Sequence, residues 1–549
     1  MARLIRLFLK FLQNPISFFN KYILPKIKNN SLVKRHKKTS VLQNQFISKL
    51  SRYKIKWDKT KKGVVLTQIV SDYEMCIKLA IASHKIACNK NANIGAYSVE
   101  YFQASKNPLI NYLLSYKVNS NLDKIFLSFA GKVLYRNSTL YKDQTKIRSL
   151  LHKIKQELKT KEDVLELHLE GIKIGDLFYD AYLRYANKPE LNINDPFIDN
   201  LLFQMLNIYF VTKQKIKEHK VIALVSSYTS YIYHGIAVRL CLNLNIPVYT
   251  ISGYSLVHKV MKDYPSHANN HFLFKKIFQK IPNKEAILQQ YKPIFEKRFE
   301  GVIDSATYYM KQSAFSSETN PELVGLDWDN SVVVLAHCFF DSPHVYRDLL
   351  FPDLYDWITF TLDELIKQTN LTILVKQHPN GLPQNDLIFE QLKIKYKNYN
   401  VKFIDKKTSQ LQIINSRPKA IVTAYGTAAA EFSYQGFPVL TIYDNPFTAY
   451  DFTHLAKTQD EYRDLLKNII SLPPKQNQQE VIEYYYMQYI FFLKGRSIDY
   501  LNCAKYKGQT FSDDFLEDYL PNMTSNYFED LDKVVIDGFE LCDWEEKNH

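Results

Sequence analysis

Apolar runs of strand length recur along this chain, each followed by a helical pattern, and that alternation constrains the fold more than any other feature. In the second half SVVVLAH (331–337) precedes DLYDWITFTLDELIKQT, which leads to LTILVKQ (371–377), NDLIFEQLKIKYK and VKFID (401–405). A short helix at 408–415 enters AIVTAYGTAAAEFSYQGFPVLTIYD (420–444), which reads as strand, turn, helix and strand. In the first half KKGVVLTQIV (61–70), NIGAYSV (93–99) and KIFLSFA (124–130) are strand candidates, and 140–220 is mostly helical. VIALVSS (221–227), HGIAVRLCLNLN and IPVYTISG (246–253) complete that series. Strands joined through helices run parallel, so the sequence predicts an α/β fold with two doubly wound sheets in tandem.

Charge divides the chain further. The net charge is +15, yet residues 1–40 hold ten Lys/Arg and no acid, while 511–549 hold twelve Asp/Glu against Lys533 and Lys547. Leu4, Leu7, Phe8, Phe11 and Leu12 share one helical face, with Arg3, Arg6 and Lys10 elsewhere,. Pro15 and Pro25 interrupt the pattern short of the roughly 20 apolar residues of a membrane span,. Residues 1–50 therefore read as a basic amphipathic arm suited to an anionic membrane surface. Domains are expected at 55–320 and 325–475, then a return helix at 476–510 that could cross the first domain, and a loosely ordered acidic tail at 511–549. Polarised ends, and positive charge without interleaved aromatics, argue against a nucleic-acid partner. At 46% hydrophobic residues the chain has ample core, and its six cysteines form no CxxC pair,. No metal cluster stands out.

In open α/β sheets ligands bind where strands end. Four such loops leave the second series: His337 to His344, Lys376 to Asn380, Asp405 to Ser409 (with Thr408), and Tyr425 to Thr427. Lys376 and His378 stand two residues apart before Pro379, which stops the strand, and can contact one phosphate from two sides. Gly426 and Thr427 suit a helix start and a phosphate. Glu431, one helical turn on, suits two ribose hydroxyls. In the first domain GIKIGDLFYDAYLRY (171–185) sets Asp176, Asp180 and Arg184 along one helical face, the candidate catalytic groups,. Asp72 and Glu74 are the rival pair. His234, Gly235, Ser226 and Ser227 are candidates for the acceptor side, and Asp341 and His344 are further cleft candidates.

The Lys-x-His-Pro strand exit and the Gly-Thr-x3-Glu helix followed by Gly-x-Pro-Val resemble GT-B glycosyltransferases of bacterial capsule and lipopolysaccharide synthesis. The Kdo transferases and the bacterial sialyl- and polysialyltransferases are the nearest in pattern. The resemblance covers roughly 60–475. It implies two Rossmann-like domains facing a central cleft, acceptor domain first and nucleotide-sugar domain second. It further implies a CMP-sugar donor whose phosphate is held by His378 and Thr427 with Lys376 in support, no metal, and a lipid-linked or polymeric glycan acceptor. The place of action is the inner face of the cytoplasmic membrane. The Asp/Glu-Asp-Gly base motif of sialyltransferases is missing. A CDP-glycerol-type polyol phosphate transferase and a non-catalytic assembly protein are the alternatives.

Overall fold

A computed structural model of the protein describes residues 40–99, 120–251, 256–268, 271–304, 307, 313–315, 319–379, 381–475, 477–493 and 510–548. Most of the basic arm lies outside the described residues. The first sheet contains β1 (Val64–Ile69), β2 (Asn93–Ser98), β3 (Lys132–Arg136), β6 (Val221–Ser226), β7 (Val248–Thr250) and β8 (His258–Lys259), with a separate small hairpin of β4 (His168–Leu169) and β5 (Ile172–Lys173). Its order is β3-β2-β1-β6-β7-β8, parallel up to the antiparallel edge strand β8. The second sheet is parallel throughout and contains β9 (Ser331–Leu335), β10 (Thr372–Lys376), β11 (Val401–Ile404), β12 (Ala420–Thr423), β13 (Val439–Ile442) and β14 (His454–Ala456). It repeats the arrangement in the order β11-β10-β9-β12-β13-β14. These are two Rossmann-like domains, as expected.

Each sheet reverses its winding once, between β1 and β6 and between β9 and β12. At such a point neighbouring loops diverge and leave a crevice at the strands' carboxyl ends. The central strands are buried along their whole length, as β1 and β9 show. Their runs of Val, Ile and Leu follow from helices covering both faces.

Three readings are corrected by the packing. KIFLSFA is not a strand: helix Ser120–Phe126 ends inside it, and the strand is KVLYR, Lys132–Arg136. Ile125, Phe126, Phe129 and Ala130 recur at helical spacing and fill the core beneath helix Tyr73–Asn89,. Segment 271–304, expected in the first domain, packs on the second sheet. There Phe274 and Phe295 join Phe432, Tyr434 and Val439. The helix Gln478–Tyr486 covers the same face, so this part of the expected return helix lies on the second domain. Phe492 O accepts from the Leu256 N–H of the first domain at 2.7 Å, and residues 494–509 lie outside the described residues.

The acidic tail is helical and closely packed. Helices Asp513–Tyr519 and Ser525–Asn548 return to the first domain, where Phe515, Leu516, Tyr519 and Leu531 are fully buried. Their acids project from an apolar face that helix Val41–Leu50 also contacts, as Phe46 and Leu50 share the cluster. Gly538 lies so close to Val257 that an added Cβ would come within 2.7 Å of its backbone. Removing the buried Leu531 side chain by Leu531→Ala is expected to lower stability by about 2–5 kcal/mol. A lower urea midpoint for the full chain checks this, and an unchanged midpoint would mean that the tail is only loosely attached.

Candidate active site

The helix Gly175–Ala186 brings carboxylates to the interface of the two domains. It is held tightly against helix Tyr231–Asn243: a Cβ on Gly235 would come within 2.4 Å of Leu177. Asp176 is spent on structure, paired with Arg239, whose guanidinium also donates to Lys173 O at 2.8 Å. Asp180, one turn on, is buried and meets the second domain. Its Oδ1 lies 2.6 Å from His344 Nδ1. Arg184 does not pair with either acid. It is exposed and interacts electrostatically with Tyr231 and Asp341.

His344 sits in the long loop after β9. Its side chain is 12% exposed, and its Nε2 is buried without a hydrogen-bond partner among the described residues. Tyr179, the neighbour of Asp180, packs edge-on against the imidazole with ring centroids 5.3 Å apart. The Tyr179 hydroxyl donates to Asp353 Oδ2 at 2.6 Å, and Asp353 Oδ1 caps helix Leu354–Leu365 through the N–H groups of Tyr355 and Asp356. Lys161 of the first domain reaches Asp356 at 2.9 Å and Asp353 at 3.4 Å. These contacts clamp the two domains beside the Asp180–His344 pair.

Burial pushes Asp180 up to about 6, against the pull of His344. Burial also disfavours charge on His344, but the Asp180 carboxylate outweighs it and holds the imidazole above its ordinary value,. Burial pushes Asp353 up to about 6 as well, with Asp356 adding to the effect and Lys161 opposing it.

The nucleotide side expected from sequence gathers at the carboxyl ends of β9, β10 and β12. Lys376 is 2% exposed, and among the described residues no acid lies within ion-pair distance of its ammonium. Burial pushes it down to about 8, against the pull of Asp405 and Glu431. It therefore stays mostly protonated at pH 7, by about tenfold. An ammonium so placed calls for an anion, because burying an unpaired charge is costly. His378, before Pro379, is pushed down to about 4, by burial and then by Lys376, while Asp341 works the other way. His337 is neutral for the same chief reason, burial. Its Nε2 accepts from Thr423 Oγ1 at 3.0 Å and from the Tyr425 N–H at 3.4 Å. Gly426 leaves room for that ring, since an added Cβ would lie 3.2 Å from His337 Cε1.

Other expected residues have structural duties. Thr427 stands at the start of the short helix Ala428–Tyr434, as expected, though its side chain makes no capping bond. Glu431 is buried and pairs with Arg298 at 3.3 Å, and Arg298 also meets Asp304. Ser409 caps helix Gln410–Ser416, and the buried Thr408 hydroxyl accepts from Asn320 Nδ2 at 3.3 Å. The rival acids are occupied: Asp72 caps helix Tyr73–Asn89 and takes a bond from Thr510, and Glu74 pairs with Lys78 in the core. Ser227 donates to Gln68 Oε1 at 2.6 Å at the β1/β6 crevice, and His234 is buried behind it and kept neutral.

Sequence reasoning did not single out Lys161, Tyr179 or Asp353. Asp353 reads as an ordinary helix cap, and only the fold brings Tyr179 to it. Among the described residues no group of three or more His, Cys, Asp or Glu side chains forms a metal-binding set, and no helix is long and apolar enough to cross a membrane. A cavity of about 400 Å³ lies elsewhere, between Ile277, Ile281, Tyr486, Phe491 and Leu541, with Lys280 as its one charged group.

No protein-family model matches the sequence, and no curated protein does. Among solved structures the chain is similar to the KpsC beta Kdo 2,4 transferase of Thermosulfurimonas dismutans, with 12% identity over 48% of this chain and 79% of that one, at a TM-score of 0.29. It is also similar to a UDP-GlcNAc 2-epimerase of Methanocaldococcus jannaschii, with 10% identity over 77% and 98% of the two chains and a TM-score of 0.24. The wall teichoic acid polymerase TagF aligns at 12% identity over 89% and 99%, with a TM-score of 0.20. At such scores these likenesses add nothing to the topology already described.

Both Asp180 and His344 hold protons more tightly folded than unfolded. Their contribution to stability is therefore present at low pH and lost as pH rises, from above about 4 for Asp180 and above about 6.5 for His344. His234, His337 and His378, held below their ordinary value by burial, act in the opposite sense on the whole protein, so the pair is read as a difference,. The melting-temperature advantage of the natural protein over the Asp180→Asn/His344→Gln double variant should shrink between pH 5 and pH 8. A pH-independent difference would show that the pair does not titrate as described.

Proposed function

We propose that this protein is a glycosyltransferase that moves an acidic sugar, Kdo or a nonulosonate such as sialic or pseudaminic acid, from a CMP-activated donor to a growing surface polysaccharide. The observation that carries this reading is His344, fixed at Nδ1 by buried Asp180 while Nε2 is buried without a hydrogen-bond partner among the described residues. A histidine oriented by a carboxylate and unpartnered at its other nitrogen is suited to general-base work. In the proposed step Nε2 takes the proton of an acceptor hydroxyl, whose oxygen attacks the anomeric carbon. The bond from that carbon to the CMP phosphate breaks, and CMP leaves with the electron pair. Asp180 stabilises the imidazolium that forms.

The buried ammonium of Lys376, unpaired among the described residues, supports a phosphate-bearing donor, and neutral His378 adds a hydrogen bond beside it,. In this reading Lys376 and His378 meet the leaving group's charge and no metal is required. The CMP donor and the acidic sugar rest on the resemblance of the His-Pro strand exit and the Gly-Thr helix to the capsule and sialyltransferase group. The acceptor is a lipid-linked or polymeric glycan at the inner face of the bacterial cytoplasmic membrane.

His344→Ala should lower the transfer rate by about 10²–10⁴-fold while leaving CMP-induced thermal stabilisation intact. Because the base must be unprotonated, the rate should rise with pH through the elevated value of His344 and flatten above it. Lys376→Ala should abolish the stabilisation by CMP. Stabilisation by UDP alone would redirect the reading to a hexosyltransferase, turnover of a CDP-polyol to polyol phosphate transfer, and indifference to all nucleotides to a non-catalytic role.

A further inference from the structure

The first sheet carries a second charged surface at the edge facing away from the strands' carboxyl ends. β1, β2, β3 and β6 all begin there, and the chain before β1 runs across their starts. Ile55 N–H donates to Phe129 O at 3.2 Å, Asp58 N–H to Asn93 Oδ1 at 2.8 Å and Lys61 Nζ to Ala92 O at 3.2 Å. Val64 N–H then donates to Lys220 O. Neighbouring strands are about 4.8 Å apart, so these four starts span roughly 15 Å.

Lysines converge on this strip. Lys59 and Lys62 come from the crossing segment, Lys90 precedes β2, Lys132 opens β3, and Lys217 and Lys220 precede β6, all exposed. Asp58 and Glu218 lie among them, and Glu218 already pairs with Lys215 at 2.7 Å. His219 registers the local field. Burial and then Lys215 push its imidazole down, with Lys132 adding to the effect from the neighbouring side and Glu218 opposing. Leu244, 48% exposed, follows helix Tyr231–Asn243 and opens the turn before β7 on the same edge.

None of these side chains takes part in the cleft. Ammonium groups are compact and strongly hydrated, which suits diffuse attraction to a charged plane, whereas specific phosphodiester contacts favour guanidinium forks. A groove for single-stranded nucleic acid needs open aromatic faces. Trp57 is covered: Lys132 Nζ lies 4.7 Å from the ring centre, and an added Cβ on Gly131 would be 2.8 Å from the ring. We propose that this lysine strip is a docking surface for an anionic phospholipid bilayer, separate from the arm at residues 1–50. This does not depend on the chemistry assigned to the cleft. Where both hold, the six residues of β1 set the cleft at least ~20 Å above the headgroups,. The acceptor must then present its growing end that far from its lipid.

The test is co-sedimentation of the full chain with phosphatidylglycerol-containing and pure phosphatidylcholine vesicles. The protein should partition to the anionic vesicles only. Changing Lys59, Lys62, Lys90, Lys217 and Lys220 together to Gln should lower that partitioning by about tenfold or more, with melting temperature unchanged. The same five changes should have the same effect in an Arg3→Gln/Arg6→Gln/Lys10→Gln background, which separates the strip from the arm. Unaltered partitioning of the five-lysine variant, or equal binding to both vesicles, would overturn the proposal. So would tighter lysine-dependent binding to duplex DNA than to anionic vesicles at the same salt, which would make a nucleic acid the partner.

Discussion

One hydrogen bond, from His344 of the second domain to Asp180 of the first, ties the organisation of this protein together. It joins side chains from two sheets that have separate cores. It also explains why the interface between them is built from ionisable groups. Each partner alone would be a buried polar group of high cost, and together they satisfy one another. The bond needs the two domains close, and Tyr179, Asp353 and Lys161 hold them so at its flank. The buried Asp444 cluster is a further clamp, taking bonds from Tyr264 at 3.0 Å and from Thr448 at 2.8 Å.

The contrast among buried charges separates scaffold from chemistry. Asp176 has Arg239, Glu74 has Lys78, and Glu431 and Asp304 share Arg298. Among the described residues Lys376 has no such partner, and the buried Nε2 of His344 has no hydrogen-bond partner. Lys376 ends β10 and His344 lies in the loop after β9, both at the carboxyl side of parallel strands, where backbone direction and sheet topology make room for a ligand,. Internal pairing absorbs most of the buried charge, and in the proposed function the unpaired remainder meets the substrate's charge.

The architecture was readable from sequence because buried parallel strands must be apolar throughout, as SVVVLAH and LTILVKQ are. The exit loops were readable for the same reason, since Lys376, His378 and Tyr425 follow directly from strand ends. Partnerships were not. Asp176, Asp180 and Arg184 share a helical face at regular spacing, but their partners come from residues 239, 344 and 341, which spacing cannot show. KIFLSFA misled because its apolar residues satisfy a helix and a strand alike over so short a run. The tail misled because its twelve acids hide an apolar stripe at helical period, Phe528, Leu531 and Val535, that docks it on the first domain.

The most direct measurement of the central claim is nitrogen-15 NMR of the His344 ring in the full chain, with and without Asp180→Asn. The cross-domain pair predicts a proton on Nδ1 in a strong hydrogen bond and a titration midpoint above that of a free imidazole, dropping below it in the variant as burial acts alone. A midpoint that is ordinary in the natural protein and unmoved by the substitution would mean that Asp180 and His344 do not form the unit on which this description rests.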